Sequence, residues 1–171
     1  MADSNITKRA LAEALKEQMN IEPFGKISVG EICDRCDMNR KSFYYHFRDK
    51  YDLVNWIFDT EFITMVQNCR ADDPWSVLEE LCVHLYDNRS FYRKVLQIEG
   101  QNAFAQHFRD LMLPVLADRI RAMCPRAELT PFRMSFMADG FLCAVQRWLV
   151  ERGSMTPLEF AAQMKTCLLV G

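Results

Sequence analysis

Glycine and proline are scarce, six of each in 171 residues, which argues against a fold strung from tight hairpins or long interrupted loops. No apolar run approaches the ~20 residues of a membrane span, and the opening segment through Lys8 and Arg9 leads into no secretory core. Neither a glycine-rich phosphate loop, a Gly-x-Ser-x-Gly elbow nor a His-Glu-x-x-His pair is present, so no catalytic set, metal or cofactor is expected. Charge of one sign is lacking too. A formal net charge of −2 is unsuited to indiscriminate coating of nucleic acid. The seven cysteines are odd in number and scattered from Cys33 to Cys167, which fits reduced thiols and a cytoplasmic setting better than a disulfide framework.

What the chain has is apolar material and helical period. Half of it is hydrophobic and 12% aromatic, enough for a core without staples. Ile6, Ala10, Leu11, Ala14, Leu15 and Met19 recur at three- and four-residue steps, predicting an amphipathic helix over residues 5–19. Pro23 follows that helix, and Ser28-Val-Gly-Glu31 has the form of a capping box opening a second, short helix to about Arg35. Cys36-Asp-Met-Asn39 predicts a turn, with Asn39 capping a third helix to about His46 and Asp49 capping a fourth, long one. Asp73-Pro74, Thr130-Pro131 and Thr156-Pro157 each place a capping side chain before proline at a helix start. Breaks are expected at Asn88–Ser90 and Gly100–Asn102, and a kink or interruption at Pro114. The sum is an all-α chain of about nine helices.

Positive charge is focused locally. Residues 1–50 carry nine Lys/Arg against eight Asp/Glu, and within residues 38–50 Arg40, Lys41, Arg48 and Lys50 oppose only Asp49. Two short helices joined by a tight turn form the geometry that lays the second helix in a major groove ~12 Å wide. Apolar Ile27, Ile32, Cys33, Phe43 and Phe47 can pack such a pair, leaving Arg40, Lys41, Ser42, Tyr44 and Tyr45 outside for phosphates and base edges.

The run from Ile27 through Cys36-Asp-Met-Asn39 to Phe43-Tyr-Tyr-His-Phe-Arg-Asp-Lys50 resembles the DNA-binding unit of TetR-family regulators, with a likeness over roughly residues 5–60. Asn39 to Leu53, Phe91-Tyr92 and Trp148-Leu149 are similar to the branch named after dihydroxyacetone kinase operon regulators. The resemblance implies a helix-turn-helix domain over residues 1–48 and a helical effector-binding and dimerisation domain over 49–171. It implies a homodimer, a double-stranded DNA operator of inverted-repeat form, and a small-molecule or protein effector, with no membrane partner. By position, Tyr44 and Lys50 would hold phosphates, and Arg40, Lys41, Ser42 and Tyr45 would face the groove. Arg40 is the candidate for a bidentate guanine contact; Ser28, Asn39 and His46 complete the DNA-binding set at helix ends. The family's usual turn glycine is Asp37 here, which tolerates left-handed backbone but adds negative charge near DNA.

Other chemistry competes weakly. Cys33-Asp-Arg-Cys36 has no second ligand pair and reads as packing between helices. His84 and His107 read as partly buried polar residues. Phe62, Met65, Phe104, His107, Phe108 and Met112 are candidate effector-pocket residues, against the plainer reading of helical core. The C-terminal helices, expected at 131–152 and 157–169, carry Phe132, Phe136, Phe141, Val145, Trp148, Phe160 and Met164 on apolar stripes. That is more apolar surface than one helix pair obviously buries on its inside; the resemblance implies that the same pair from a second subunit completes a four-helix bundle, with Phe136, Phe141, Val145, Trp148, Phe160 and Met164 as candidate contacts, against the plainer reading that all of them face the protomer's own core. A function of another class stays open: a helical adaptor that binds a protein partner and has lost DNA affinity.

Overall fold

The computed structural model describes residues 2–69, 73, 75–98, 104–126, 128–151 and 155–169. Among these there are nine helices and no strand: α1 (Ala2–Ile21), α2 (Val29–Arg35), α3 (Arg40–His46), α4 (Lys50–Asn68), α5 (Ser76–Asp87), α6 (Arg89–Val95), α7 (Phe104–Met123), α8 (Pro131–Val150) and α9 (Pro157–Leu169). The first helix is longer at both ends than its periodic stripe suggested. The expected Gly100–Asn102 break lies outside the described residues.

Local chemistry fixes most of the boundaries. Ser28 Oγ accepts from the Glu31 N–H while the Glu31 carboxylate accepts from the Ser28 N–H at 2.7 Å, closing the capping box of α2. Asn39 Oδ1 accepts from Ser42 N at 2.8 Å, Asp49 Oδ1 from Asp52 N at 2.8 Å, and Thr130 Oγ1 from Arg133 N at 3.1 Å. Thr156 and Glu159 form a second capping box at α9. Asp73 departs from the expectation: its carboxylate accepts from the N–H of Trp75, two residues on, and α5 begins only at Ser76. The side chain is spent on a local Asx-type turn, so it caps no helical turn. At Pro114, the expected site of a kink or an interruption, α7 runs on without interruption.

Packing divides into a head and a body. Helices α1, α2 and α3 close on Leu11, Leu15, Ile27, Ile32, Phe43 and Phe47, each buried. The body is held by a chain of rings: Phe58 meets Phe62, Tyr92, Phe104 and Phe108, and Phe108 stacks on Phe141 with 7° between planes. A second stack, Tyr86–Trp148–Phe160, ties α5 to α8 and α9. Such ring pairs contribute beyond their buried area. Helix α4 belongs to both regions, touching α1 on one side and α5 and α7 on the other. None of the described helices is long and apolar enough to cross a membrane.

Candidate nucleic-acid interface

The turn between α2 and α3 is built from backbone. Asp37 sits at φ 53°, in the left-handed region; Met38 N–H donates to Cys33 O at 2.9 Å and Asp37 N–H to Asp34 O at 3.4 Å. This is the Schellman arrangement that ends a helix, with aspartate where glycine is the cheaper residue. Cys33 is buried beneath it, and burial raises the thiols of both Cys33 and Cys36, which keeps them protonated and unreactive. No group of metal-ligating residues occurs among the described residues.

Because Phe43 is wholly buried against α1 and α2, the rest of α3 must face outward. Tyr45 is 83% exposed and Tyr44 58%, with Arg40 and Lys41 exposed in the first turn. These four form one uncovered face of cations, phenols and rings. Ser42 and Asn39 lie beside it but are joined to each other, the Ser42 hydroxyl donating to Asn39 Oδ1 at 3.2 Å. His46, half-buried, packs edge-on to Tyr45 at the far end of the helix. Ser28, exposed, lies at the start of α2 with its hydroxyl in the capping box. Arg40 is laid back across α2: a Cβ placed on Gly30 would overlap its guanidinium. The glycine thus leaves the hollow in which the arginine rests. The pattern Ser-Val-Gly30-Glu carried no sign of this in sequence, because the partner is ten residues away.

Lys50 lies half-buried at the start of α4. Its ammonium donates to Ile27 O at 2.6 Å, Phe24 O at 2.7 Å and Gly25 O at 3.3 Å, and lies 4.5 Å from the centre of the Phe24 ring. An ammonium has three donors, and main-chain carbonyls take all of them. Lys50 therefore pins the α1–α2 connection to the start of α4. Burial lowers its pKa, opposed by the charges of Glu31 and Glu22.

The body candidates separate sharply. Phe62, Phe104, Phe108 and Met112 are buried in the protein core, and His107 Nε2 donates to Asp59 Oδ1 at 2.6 Å. None of these lines the cavity of about 550 Å³ found between α1, α4 and α5, which takes only Met65 from that set. Phe104 and Phe108 of α7 meet Phe58 of α4 ring to ring, and Phe108 stacks on Phe141 of α8. Beside the cavity, Glu61 accepts from Lys16 Nζ at 2.5 Å, pairs with His84 Nε2 at 2.9 Å and accepts from the Tyr92 hydroxyl. Burial alone would raise its carboxyl, but these partners and the Lys16 charge win and bring it to about 2.

The interface candidates divide likewise. Phe141, Val145, Trp148 and Phe160 are buried inside the protomer, which removes them as contacts to a second chain; Met164 is half-buried. Phe136 stays 69% exposed and Phe132 81%, their rings stacked on each other. The same face of α8 continues through exposed Gly140, Cys143 and Val150.

Comparison with known proteins agrees with this architecture. Residues 11–57 match the family model described as bacterial regulatory proteins, tetR family, and residues 72–169 match the transcriptional regulator C-terminal region. The HTH-type dhaKLM operon transcriptional activator DhaS of Lactococcus lactis is 26% identical over 144 residues, covering 84% of this chain and 74% of that protein. Among solved structures, a TetR transcriptional regulator from Streptococcus agalactiae superposes with a TM-score of 0.77 at 20% identity, over 98% of this chain and 96% of that one. The dihydroxyacetone kinase operon activator DhaS superposes with a TM-score of 0.67 at 22% identity, over 96% and 94%. NalD of Pseudomonas aeruginosa, a repressor of the MexAB-OprM efflux pump, gives 0.58 at 19% identity, over 96% of each chain. With the two family models together spanning most of its length, the chain belongs to the TetR family of transcriptional regulators.

Proposed function

We propose that this regulator acts in the cytoplasm as a homodimer that reads an inverted-repeat operator with α3, and that an effector held in the helical body alters its DNA affinity. The observation that carries the reading is the outward face of α3. Arg40, Lys41, Tyr44 and Tyr45 are uncovered together on a helix held at both ends by caps, which suits direct contact with base edges and phosphates. Arg40 leaves its rest over Gly30 to reach a guanine, and Tyr44 bonds the backbone. The dimer forms through the exposed α8 face of Phe132, Phe136 and Gly140, where a glycine lets a partner helix approach closely. Two such subunits place their recognition helices in major grooves one turn apart, ~34–36 Å.

The test is selection from a randomised duplex pool with the purified full chain, alongside sedimentation. A dimer should enrich an inverted repeat, with affinity falling steeply as salt rises. Binding that shows no sequence preference at any salt, by a chain that is dimeric and folded, would favour the adaptor alternative. Phe136→Ser should weaken dimerisation at least about tenfold with the protomer's helicity intact, an interface core residue being worth ~1–2 kcal/mol or more.

A further inference from the structure

The cavity between α1, α4 and α5 lies at the junction of head and body, apart from the ring cluster that fills the body's centre. Its wall has a lopsided chemistry. Arg9 and Lys16 are its cations, against four carboxylates, Glu13, Glu61, Glu80 and Asp87. Lys16 is already committed to Glu61. Glu13, Glu80 and Asp87 have no hydrogen bond or ion pair among the described residues. Glu61, ionised, can only accept, so His84 Nε2 donates in that contact, and its Nδ1 has no partner among the described residues. The Thr60 hydroxyl, also on the wall, is likewise unengaged. Apart from Arg9 and His84 Nδ1, the unengaged polar atoms of the wall are the carboxylates of Glu13, Glu80 and Asp87, all exposed, and one hydroxyl. Apolar surface is supplied beside them by half-buried Trp56, Met65 and Val83.

The geometry points to this cleft as a binding site for an organic cation: an amine whose ammonium meets one carboxylate of the acidic wall formed by Glu13, Glu80 and Asp87 while its apolar body lies against Trp56 and Met65. Carboxylates outnumber cations on the wall four to two, so an added ammonium suits it, and an apolar body displaces water from the indole. At about 550 Å³ the cleft takes a molecule larger than a single amino acid side chain. The ligand touches α1 of the head, α4 and α5 of the body at once, so its occupancy fixes the angle at which α1 carries α2 and α3. That regulatory consequence rests on the DNA-binding reading above; the site itself does not.

Phenethylamine, phenethyl alcohol and 3-phenylpropionate share one body and differ in charge, and they serve as probes of the full chain without DNA. The indole N–H signals of Trp56, Trp75 and Trp148 are followed by NMR, with Trp56→Phe identifying the first. The amine should move the Trp56 signal and bind at least about tenfold more tightly than the alcohol, with the carboxylate weaker still. Glu80→Gln with Asp87→Asn should weaken the amine about three- to tenfold, as expected for two exposed charge contacts, and leave the alcohol unchanged. Added salt should act as those substitutions do. An amine no tighter than its alcohol, a shift confined to Trp75 or Trp148, or a double variant that binds the amine as tightly as the parent overturns the assignment. None of these outcomes depends on whether the chain binds an operator.

Discussion

Phe43 in the head and Phe108 in the body are equally buried, yet they are held in different ways. Around Phe43 the structure is set by bonds reaching three to five residues: the Ser28–Glu31 box, the Schellman turn at Asp37 and the Asn39 cap. Around Phe108 it is set chiefly by rings from α4 and α8, Phe58 fifty residues before it and Phe141 thirty-three after, with Phe104 one turn back on its own helix. The head is a scaffold of backbone with its chemistry on the outside; the body is a packed interior whose chemistry was displaced to its junction with the head. A short-range scaffold can hold an exposed recognition face without a large core, which is what a unit that must fit a groove requires.

The comparison breaks most visibly in the body. Phe108→Ala should cost about 3–5 kcal/mol in chemical denaturation, the range for a large aromatic removed from a tight core. Phe136→Ala on the exposed face should leave the protomer's unfolding nearly unchanged. Equal losses at both positions would mean that the two faces of the body are not distinct.

The junction supplies the next largest effect. Glu61 is held at about 2 in the fold against an ordinary 4.5, so its folded-state pKa is depressed. Its contribution is therefore complete above about pH 5 and is lost as the pH falls from about 4.5 towards 2; it amounts to at most about 3 kcal/mol. Glu61→Gln should flatten the acid limb of stability across that window. An unchanged limb would show that Lys16, His84 and Tyr92 do not hold the carboxylate.

Lys50→Met probes the head, because it strips three carbonyls of one donor. Leaving part-buried acceptors unpaired should cost about 1–3 kcal/mol, measurable as a lowered Tm even without DNA. A variant as stable as the parent but weaker on every DNA would return Lys50 to a phosphate. Smallest is Asp37→Gly, which relieves a left-handed aspartate and should stabilise by about 1 kcal/mol. It should also tighten DNA binding modestly by removing a negative charge.

What was legible in the sequence follows the same division. The capping side chains of α2, α3, α4, α8 and α9 were readable because cap and capped amide lie three residues apart. Asp73 misled because an Asx turn and a cap begin with the same residue. The outward face of α3 was readable because Phe43 and Phe47 mark its inner side. In the body, periodicity identified Phe136 and Phe141 as apolar without saying that one faces out and the other in, since that depends on α7 and α6 lying against α8. Likewise Lys50 offered a cation in a motif, while its carbonyl partners at 24, 25 and 27 became visible only when the chain was folded. The Lys16–Glu61–His84 cluster spans three helices and left no mark at any single spacing.

The most direct test of the head as a reader is to compare the parent and Arg40→Ala on the operator that each selects from a randomised pool. The account predicts that the variant still enriches the inverted repeat, loses about 1–3 kcal/mol on the parent's best site and becomes indifferent at one base pair of each half-site. A variant that weakens equally on cognate and random DNA, with every position of the half-site as selective as before, would contradict it.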